Sequence, residues 1–278
     1  MDWTMHNTGF KFIALQKMTQ VEFANRAKEI LKSDPSVIGL AVAGSWLTNE
    51  LDEFSDLDLI LVTKDKISDN KGKMLEYASQ FGQLLTGFTG EHVGEPRVLI
   101  CLYDDPLLHV DIKFLTIDEF KCRIEQPFIL LDTENQLQQI LDQTEFQFPY
   151  PDYQWIEDRF WIWVHYALLK IGRGELLEAF DFLGFLRMVV LGPLLHIKNN
   201  NLPRGLRKIE TQISNTDFEN IKATIPNYSR SSLLESLENA VFVYRQLRTE
   251  LFKADTILQR ETEKKVTEYF DKIKLLKK

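Results

Sequence analysis

Two aspartates one residue apart, Asp56 and Asp58, are the residues of this sequence best placed to do chemistry. Alternate residues of a strand point to the same face, so the two carboxylates would project together with their backbones roughly 7 Å apart. Carboxylates held side by side repel each other unless a cation lies between them. Mg²⁺ takes oxygen ligands from one or two carboxylates and from substrate phosphates. The pair therefore predicts a magnesium site.

A third acid, Asp111, lies in a later run that alternates polar and apolar residues, His109-Val-Asp-Ile-Lys-Phe114. Such alternation is typical of a strand with one buried face. If this strand neighbours the one that carries Asp56 and Asp58, three carboxylates converge. Three carboxylates can hold two divalent ions.

Gly44 and Ser45 follow a short apolar run and precede a helix-like segment at 46–51. Glycine lets a backbone approach a phosphate closely, and the first N–H groups of a helical turn point toward such an anion. The Ser45 hydroxyl can add one hydrogen bond. We expect this turn to hold phosphate at the same end of the sheet as the metal site.

The elements that must position these residues are a leading helix, a set of strands and a second helix. Proline and aspartate residues, which are typical of turns, separate these elements. Asp104-Asp105-Pro106 predicts a hairpin between the last two strands. Thr116 to Glu119 resembles a capped helix start. The predicted elements are a helix at 17–33, strands at 37–43 and 56–63, a helix at 71–86, and strands at 97–103 and 108–115.

From about residue 150 the pattern becomes helical, with Pro149 and Pro151 at the boundary. Helical segments are predicted at 152–171, 174–198 and 230–276, and no strand-rich region returns. The expected class is α+β, with a mixed small sheet and flanking helices followed by a C-terminal helical bundle. We predict a catalytic domain at 1–148 and a helical, substrate-binding domain at 149–278.

The composition limits the classes of partner. The net charge is −8, which argues mildly against a nucleic-acid partner and suits a small or cationic one. Two cysteines, Cys101 and Cys122, give neither a disulfide framework nor a zinc pattern. The most apolar stretch, 180–197, contains Asp181 and Arg187, and the first residues do not resemble a signal peptide. We expect a cytoplasmic protein, monomeric or homodimeric, without a membrane partner.

The ordered set of motifs resembles a known family. Ala43-Gly44-Ser45 followed by Ser55-Asp-Leu-Asp-Leu59 is similar to the signature of the polymerase-β-like nucleotidyltransferase superfamily, and Asp111 matches that family's later strand aspartate. The most similar branch is that of the small antibiotic adenylyltransferases, which act on aminoglycosides or lincosamides and append a helical domain. The motif resemblance covers roughly residues 37–115.

The resemblance implies an activity and its cofactors. A nucleoside monophosphate, AMP from ATP or another triphosphate, would pass to a hydroxyl of a small acceptor such as an aminoglycoside-like antibiotic, with pyrophosphate as the leaving group. Mg²⁺, as two ions, would be held by Asp56, Asp58 and Asp111, and the terminal phosphates by Gly44 and Ser45.

Other residues are candidates with competing interpretations. Relatives often use a glutamate as general base, so Glu91 or Glu95 is a candidate, although either can be an exposed loop residue, and Asp111 can itself act as the base. Lys170 and Arg173 are candidates for triphosphate contact, or form a solvated helix end. The aromatic residues of 155–166 form core packing or, in part, a stacking wall for substrate.

Two other functions remain open at this point. One is a regulatory, antitoxin-like nucleotide-binding protein of the same fold without turnover, and the other is a nucleotidyltransferase that modifies protein or RNA. The acidic net charge disfavours RNA as substrate. The presence of all three aspartates disfavours a site that has lost turnover.

Overall fold

The computed structural model describes residues 6–276, with side-chain environments from residue 19 onward. By its backbone contacts the chain divides into two units, Met1–Phe148 and Pro149–Lys278. Each unit has a hydrophobic core of its own. The two are described separately below.

The first unit contains a mixed six-stranded sheet. Its strands are β1 Val37–Val42, β2 Leu57–Thr63, β3 Gln83–Gly90, β4 Glu95–Asp104, β5 Leu108–Thr116 and β6 Phe128–Asp132. They are ordered β3-β4-β5-β2-β1-β6 across the sheet, and β2 pairs with β5 in parallel while the other neighbours are antiparallel. Because β2 and β5 are parallel, their amino-terminal ends lie at the same end of the sheet.

Helices cover this sheet and bury its apolar residues. They are α1 His6–Leu31, α2 Lys71–Gln80, α3 Ile117–Phe120 and α4 Gln136–Gln143. Leu59 of β2 and Ile112 of β5 pack into one core with Phe23 of α1 and Met74 of α2. A second cluster contains Val62, Leu115, Phe120 and Leu137. Alternate residues of β2 and β5 point into this core, so the residues between them point to the opposite face of the sheet.

The predicted helix start at Thr116 is confirmed in detail. The Thr116 side chain accepts a hydrogen bond from the Glu119 backbone N–H, and the Glu119 carboxylate accepts one from the Thr116 N–H. This reciprocal capping satisfies two backbone donors at the start of α3. It fixes the turn by which the chain leaves β5.

The second unit is helical. Its helices are α5 Tyr153–Arg173, α6 Leu176–Leu186, α7 Gly192–Lys198, α8 Ile209–Gln212, α9 Asn215–Lys222, α10 Arg230–Leu251 and α11 Arg260–Leu275, and a π-helical turn, Arg187–Leu191, joins α6 to α7. Phe160, Trp161 and Tyr244 are among its most buried side chains. A mixed sheet with flanking helices plus a helical unit confirms the predicted α+β class.

Two strands at the edges of the sheet were missed by the sequence analysis. The predicted helix at 71–86 is wrong beyond Gln80, since the chain from Gln83 forms strand β3. Strand β6 was not predicted. Both are edge strands with mostly exposed or half-buried side chains. Such strands bury too few residues to give a clear alternating pattern. The predicted helix 230–276 is also interrupted, between Leu251 and Arg260.

One stretch, Leu176–Lys198, is long and apolar enough to cross a membrane by length and composition alone, with a mean hydropathy of 1.6. Half of its most apolar window is buried within the protein. Its buried members pack in the core of the helical unit, where they are Ala179, Leu183, Leu186, Val190, Leu191, Leu194 and Leu195. Core packing therefore accounts for its apolar character.

Candidate functional site

Three carboxylates meet at the end of the sheet where the central strands β2 and β5 begin. Asp56 directly precedes β2, and Asp58 is the cross-strand partner of Asp111 in the parallel register. One carboxylate oxygen from each residue lies within 4.8 Å of the other two, and all three side chains are half-buried. The parallel pairing of β2 with β5 thus joins residues that lie far apart in the sequence.

The geometry fits a divalent cation. Ligand oxygens around one Mg²⁺ at about 2.1 Å lie at most about 4.2 Å apart, so the 4.8 Å cluster requires only a small contraction. All three donors are hard, anionic oxygens, which is the ligand set that Mg²⁺, Mn²⁺ or Ca²⁺ prefers. The three aspartates can therefore hold a divalent ion.

The pKa of the Asp111 carboxyl also indicates a place where a cation would bind favourably. Burial raises the pKa of its carboxyl, and the negative charge of Asp56 adds to that rise. His109 opposes both, since its Nε2 lies 2.9 Å from Asp111 Oδ1 and lowers the pKa. Bringing carboxylates together in a partly desolvated site destabilises the protein when no cation is bound. A bound cation would relieve that cost.

The Gly44–Trp46 turn, a short 3-10 segment, lies directly against this cluster. Gly44 has φ +62°, and a Cβ placed there would lie 2.0 Å from Asp58 Oδ2. The Ala43 N–H donates to the Asp58 carbonyl at 3.0 Å, which fixes the end of β1 beside β2. Only glycine allows the backbone to pass this close to the carboxylate. Ser45 follows, and its carbonyl accepts from the Glu50 N–H at 3.1 Å.

Sequence reasoning missed one residue at this turn. The Gly44 N–H donates to Glu125 Oε1 at 3.1 Å. Glu125 lies in the loop between α3 and β6, which Arg123 ties down by donating to Thr144 Oγ1 at 2.6 Å. A single glutamate in an irregular loop has neither periodicity nor a motif that would mark it. A contact across 81 positions of sequence is visible only in the fold.

Glu91, proposed as general base, lies at the other end of the sheet. It begins a short 3-10 turn, Glu91–Val93, between β3 and β4, where it accepts a hydrogen bond from Thr89 Oγ1. On β4 the partner of Asp111 is Ile100, five residues, or about 17 Å of strand, after Glu95. The β3–β4 connection therefore lies away from the carboxylate cluster, and this placement does not support Glu91 or Glu95 as the base.

Glu95 is part of a charge-paired group. Its two carboxylate oxygens accept from Arg97 Nε and Nη2 at 2.7 Å each, and Lys113 Nζ lies 2.8 Å from Oε2. The Arg97 hydrogen bond is the main reason that the pKa of Glu95 is lowered to about 2, with Lys113 adding to it. Lys113 is thus engaged in a structural ion pair with Glu95.

Lys170 and Arg173 lie at the end of α5 in the helical unit. Lys170 Nζ lies 2.7 Å from Glu175 Oε2 and 3.0 Å from Glu178 Oε1, and these contacts raise its pKa. Arg173 is largely exposed, with Nη1 3.8 Å from Glu175 Oε1. Their contact with a triphosphate stays a prediction.

The aromatic residues of α5 divide between core and surface. Phe160 stacks on Tyr244 with ring centroids 3.6 Å apart, and Trp161 is equally buried. Trp155 is 41% exposed, and the Arg159 guanidinium lies over its ring at 4.4 Å. Core packing accounts for the first group, while a role for the exposed rings in stacking on a substrate stays a prediction.

Comparison with a protein-family model gives a match that contains the whole carboxylate cluster. Residues 24–140 match the model described as the nucleotidyltransferase domain. The match runs from within α1 to within α4. It agrees with the nucleotidyltransferase resemblance that the sequence motifs predict. No curated protein matches this chain.

Solved structures give broader but weaker likenesses. An aminoglycoside 6-adenyltransferase from Bacillus subtilis is 18% identical, with 94% of this chain and 98% of that chain covered and a TM-score of 0.40. A nucleotidyltransferase-like protein from Exiguobacterium sibiricum is 10% identical, with coverage of 93% and 89% and a TM-score of 0.34. A spectinomycin adenyltransferase from Enterococcus faecialis, solved with ATP and spectinomycin, is 14% identical, with coverage of 91% and 99% and a TM-score of 0.29.

Proposed function

We propose that this enzyme transfers a nucleoside monophosphate, AMP from ATP, to a hydroxyl of a small acceptor; the match of residues 24–140 to the nucleotidyltransferase domain model supports this. The bond from the α-phosphorus to the bridging oxygen breaks, a bond to the acceptor oxygen forms, and pyrophosphate leaves. The observation that carries the proposal is the cluster of Asp56, Asp58 and Asp111 beside the Gly44 turn.

The residues of the chain divide the work between charge and position. The three carboxylates hold divalent cations, and Mg²⁺, as two ions, is the proposed species. Once bound, the ions would neutralise the triphosphate and stabilise charge on the attacking and leaving oxygens of an in-line displacement. Gly44 and Ser45 orient the terminal phosphates with the backbone N–H groups and the hydroxyl of the turn. Fixing the nucleotide this way reduces the entropy that the reaction must lose.

The acceptor hydroxyl must give up a proton. Of the three carboxylates considered as general base, Asp111 is the one at the carboxylate cluster, so we assign it this role as well as metal binding. His109, whose ring nitrogen lies 2.9 Å from Asp111 Oδ1, holds that carboxylate in place.

The acceptor class follows from charge and from the motif resemblance. The chain carries 41 acidic and 33 basic residues, which suits a cationic, hydroxylated molecule such as an aminoglycoside better than a nucleic acid. We assign catalysis to the first unit and acceptor binding to the helical unit, in a cytoplasmic protein. Retention of all three aspartates favours turnover over a purely regulatory nucleotide-binding role.

The test is a transfer assay. The purified chain is incubated with ATP labelled at the α-phosphate, Mg²⁺ and a panel of aminoglycosides, spectinomycin and lincosamides, and labelled products are separated from ATP. The expected result is a labelled acceptor formed in equal amount with pyrophosphate. Pyrophosphate release with no labelled acceptor would reject the acceptor class, and the lack of both products with every acceptor tested would reject the proposed transfer of AMP from ATP.

A further inference from the structure

A row of four residues crosses the sheet at the level of the carboxylates. In the strand register Asp58 pairs with Asp111, Asp111 with Ile100, and Ile100 with Phe88. Directly paired residues point to the same face of a sheet. Neighbouring strands lie about 4.8 Å apart, so the Phe88 backbone is about 10 Å from that of Asp111. Phe88 therefore shares the face on which the carboxylates lie.

The apolar side chains of this face on β3 and β4 are not covered by a core. Phe88 is 47% exposed, although its ring contacts that of His92 with centroids 5.7 Å apart. Ile100 and Leu102, which alternate with buried residues of β4, are half-buried. Within the part of the chain that the structure describes, none of these three side chains belongs to a hydrophobic core cluster. An apolar surface thus lies directly beside the candidate metal site.

The direction of the reaction decides which substrate meets this surface. The turn assigned to the terminal phosphates follows β1, and β1 pairs with β2 on the side away from β5. Gly44 of that turn lies against Asp58. In an in-line displacement the attacking oxygen approaches phosphorus from the side opposite the leaving pyrophosphate. Because pyrophosphate leaves on the β1 side, the acceptor approaches from the β5 side, where the sheet continues into β4 and β3.

We propose that Phe88, Ile100 and Leu102 bind the acceptor and determine which acceptors are used. The inference rests on the proposed function, and it adds a surface of the first unit to the acceptor binding assigned to the helical unit. These residues are specificity-determining and take no part in the chemistry of the transferred group.

The chemistry of the surface selects a class of acceptor. An apolar surface beside the attacking oxygen fits a ring that presents its C–H face, as sugar and cyclitol rings do. An aromatic side chain such as Phe88 offers a large, flat apolar area to that face. Ammonium groups of the acceptor point away from this surface, because burial against apolar side chains would leave them without a partner.

Steady-state kinetics of the full chain test this inference, with ATP and each acceptor that the transfer assay labels. Phe88→Thr removes the ring but keeps a residue that suits a strand, and Phe88→Leu keeps an apolar side chain. Phe128→Thr is the matched control, because Phe128 is a 56% exposed phenylalanine of the other edge strand, β6. Its partner Val42 packs in the core with Leu59, on the face opposite Asp58. Phe128 therefore points away from the carboxylates.

The expected changes concern the acceptor and not the nucleotide. Phe88→Thr should raise the KM for the acceptor about tenfold and Phe88→Leu about threefold, with the KM for ATP unchanged in both. Phe128→Thr should change either KM by less than about twofold. Melting temperatures show that each variant is folded, and Phe88→Leu carries the test if Phe88→Thr does not fold.

The outcomes separate this inference from the proposed function. If the natural chain transfers AMP and the Phe88 variants keep its KM for the acceptor, the inference is wrong and the proposed function stands. A KM that rises for ATP instead would overturn it as well, because the ring would then contact the nucleotide. A natural dimer that Phe88→Thr converts to a monomer in light scattering would show a contact between two copies and would also overturn it. If the natural chain labels no acceptor, the proposed acceptor class and this inference fail together.

Discussion

Two neighbouring positions on strand β5 use charge in opposite ways. At the first, Asp111 lies with Asp56 and Asp58, with a carboxylate oxygen of each within 4.8 Å of the other two. Two residues further along, Lys113 lies 2.8 Å from Glu95, which also pairs with Arg97. The second arrangement stabilises the fold, whereas the first costs stability until a cation binds. Gathered like charge marks the candidate site, and paired opposite charge marks a contact that stabilises the fold.

Removal of one carboxylate should have the largest effect on activity. Asp58→Asn is expected to lower the rate of nucleotidyl transfer by about a thousandfold, because it removes an anionic ligand of the cation. The melting temperature should stay the same or rise, since one of three neighbouring charges is lost. Transfer rate and thermal unfolding measured on the same preparation check both parts. An unchanged rate would show that the cluster has no role in the reaction.

A pair of glycine variants isolates the contact between the turn and the carboxylate. Gly44 and Gly94 both have positive φ, +62° and +77°, but a Cβ at Gly94 would meet nothing within 4 Å. Gly94→Ala should therefore cost about 1 to 2 kcal/mol from the backbone conformation alone. Gly44→Ala should cost more in urea unfolding and also abolish transfer, because its Cβ displaces Asp58. Equal costs with activity retained would contradict the account.

For Glu95, which pairs with Arg97 and Lys113, the expected effect is smaller and depends on pH. The pKa of Glu95 is lowered from 4.5 to about 2, so its stabilisation is fully present above about pH 4.5 and is lost as the pH falls toward 2. Glu95→Gln should lower the free energy of unfolding by about 1 to 2 kcal/mol at pH 7, after allowance for solvent screening. The difference from the natural chain should vanish near pH 2.

Urea unfolding at several pH values measures this difference. The control is Glu76→Gln, a change at an exposed position of α2, which should alter stability by less than about 0.5 kcal/mol at any pH. A Glu95→Gln cost that does not depend on pH would show that the pairing with Arg97 and Lys113 is not its source.

The features that could be predicted from the sequence are those that depend on regular alternation along strands and on local spacing of residues. Asp58 and Asp111 lie on strands with one apolar face, so their shared direction can be inferred from period two. The relations that the sequence did not show depend on which strands are neighbours. Glu91 is close in sequence to β4, yet chain direction places it at the far end of the sheet, and Glu125 reaches Gly44 from an irregular loop. Neither the position of Glu91 in the sheet nor the contact of Glu125 with Gly44 produces a periodic pattern or a characteristic spacing in the sequence.

The central claim is that three carboxylates hold a cation together with the triphosphate. Its most direct test is the thermal stability of the chain with ATP, measured with and without Mg²⁺, in the natural sequence and in Asp111→Asn. At about one hundred times the Kd, ATP should stabilise the natural chain by about 2.7 kcal/mol only when Mg²⁺ is present, and Asp111→Asn should lose that gain. Equal stabilisation by ATP without any divalent ion, or a full gain in Asp111→Asn, would contradict the claim.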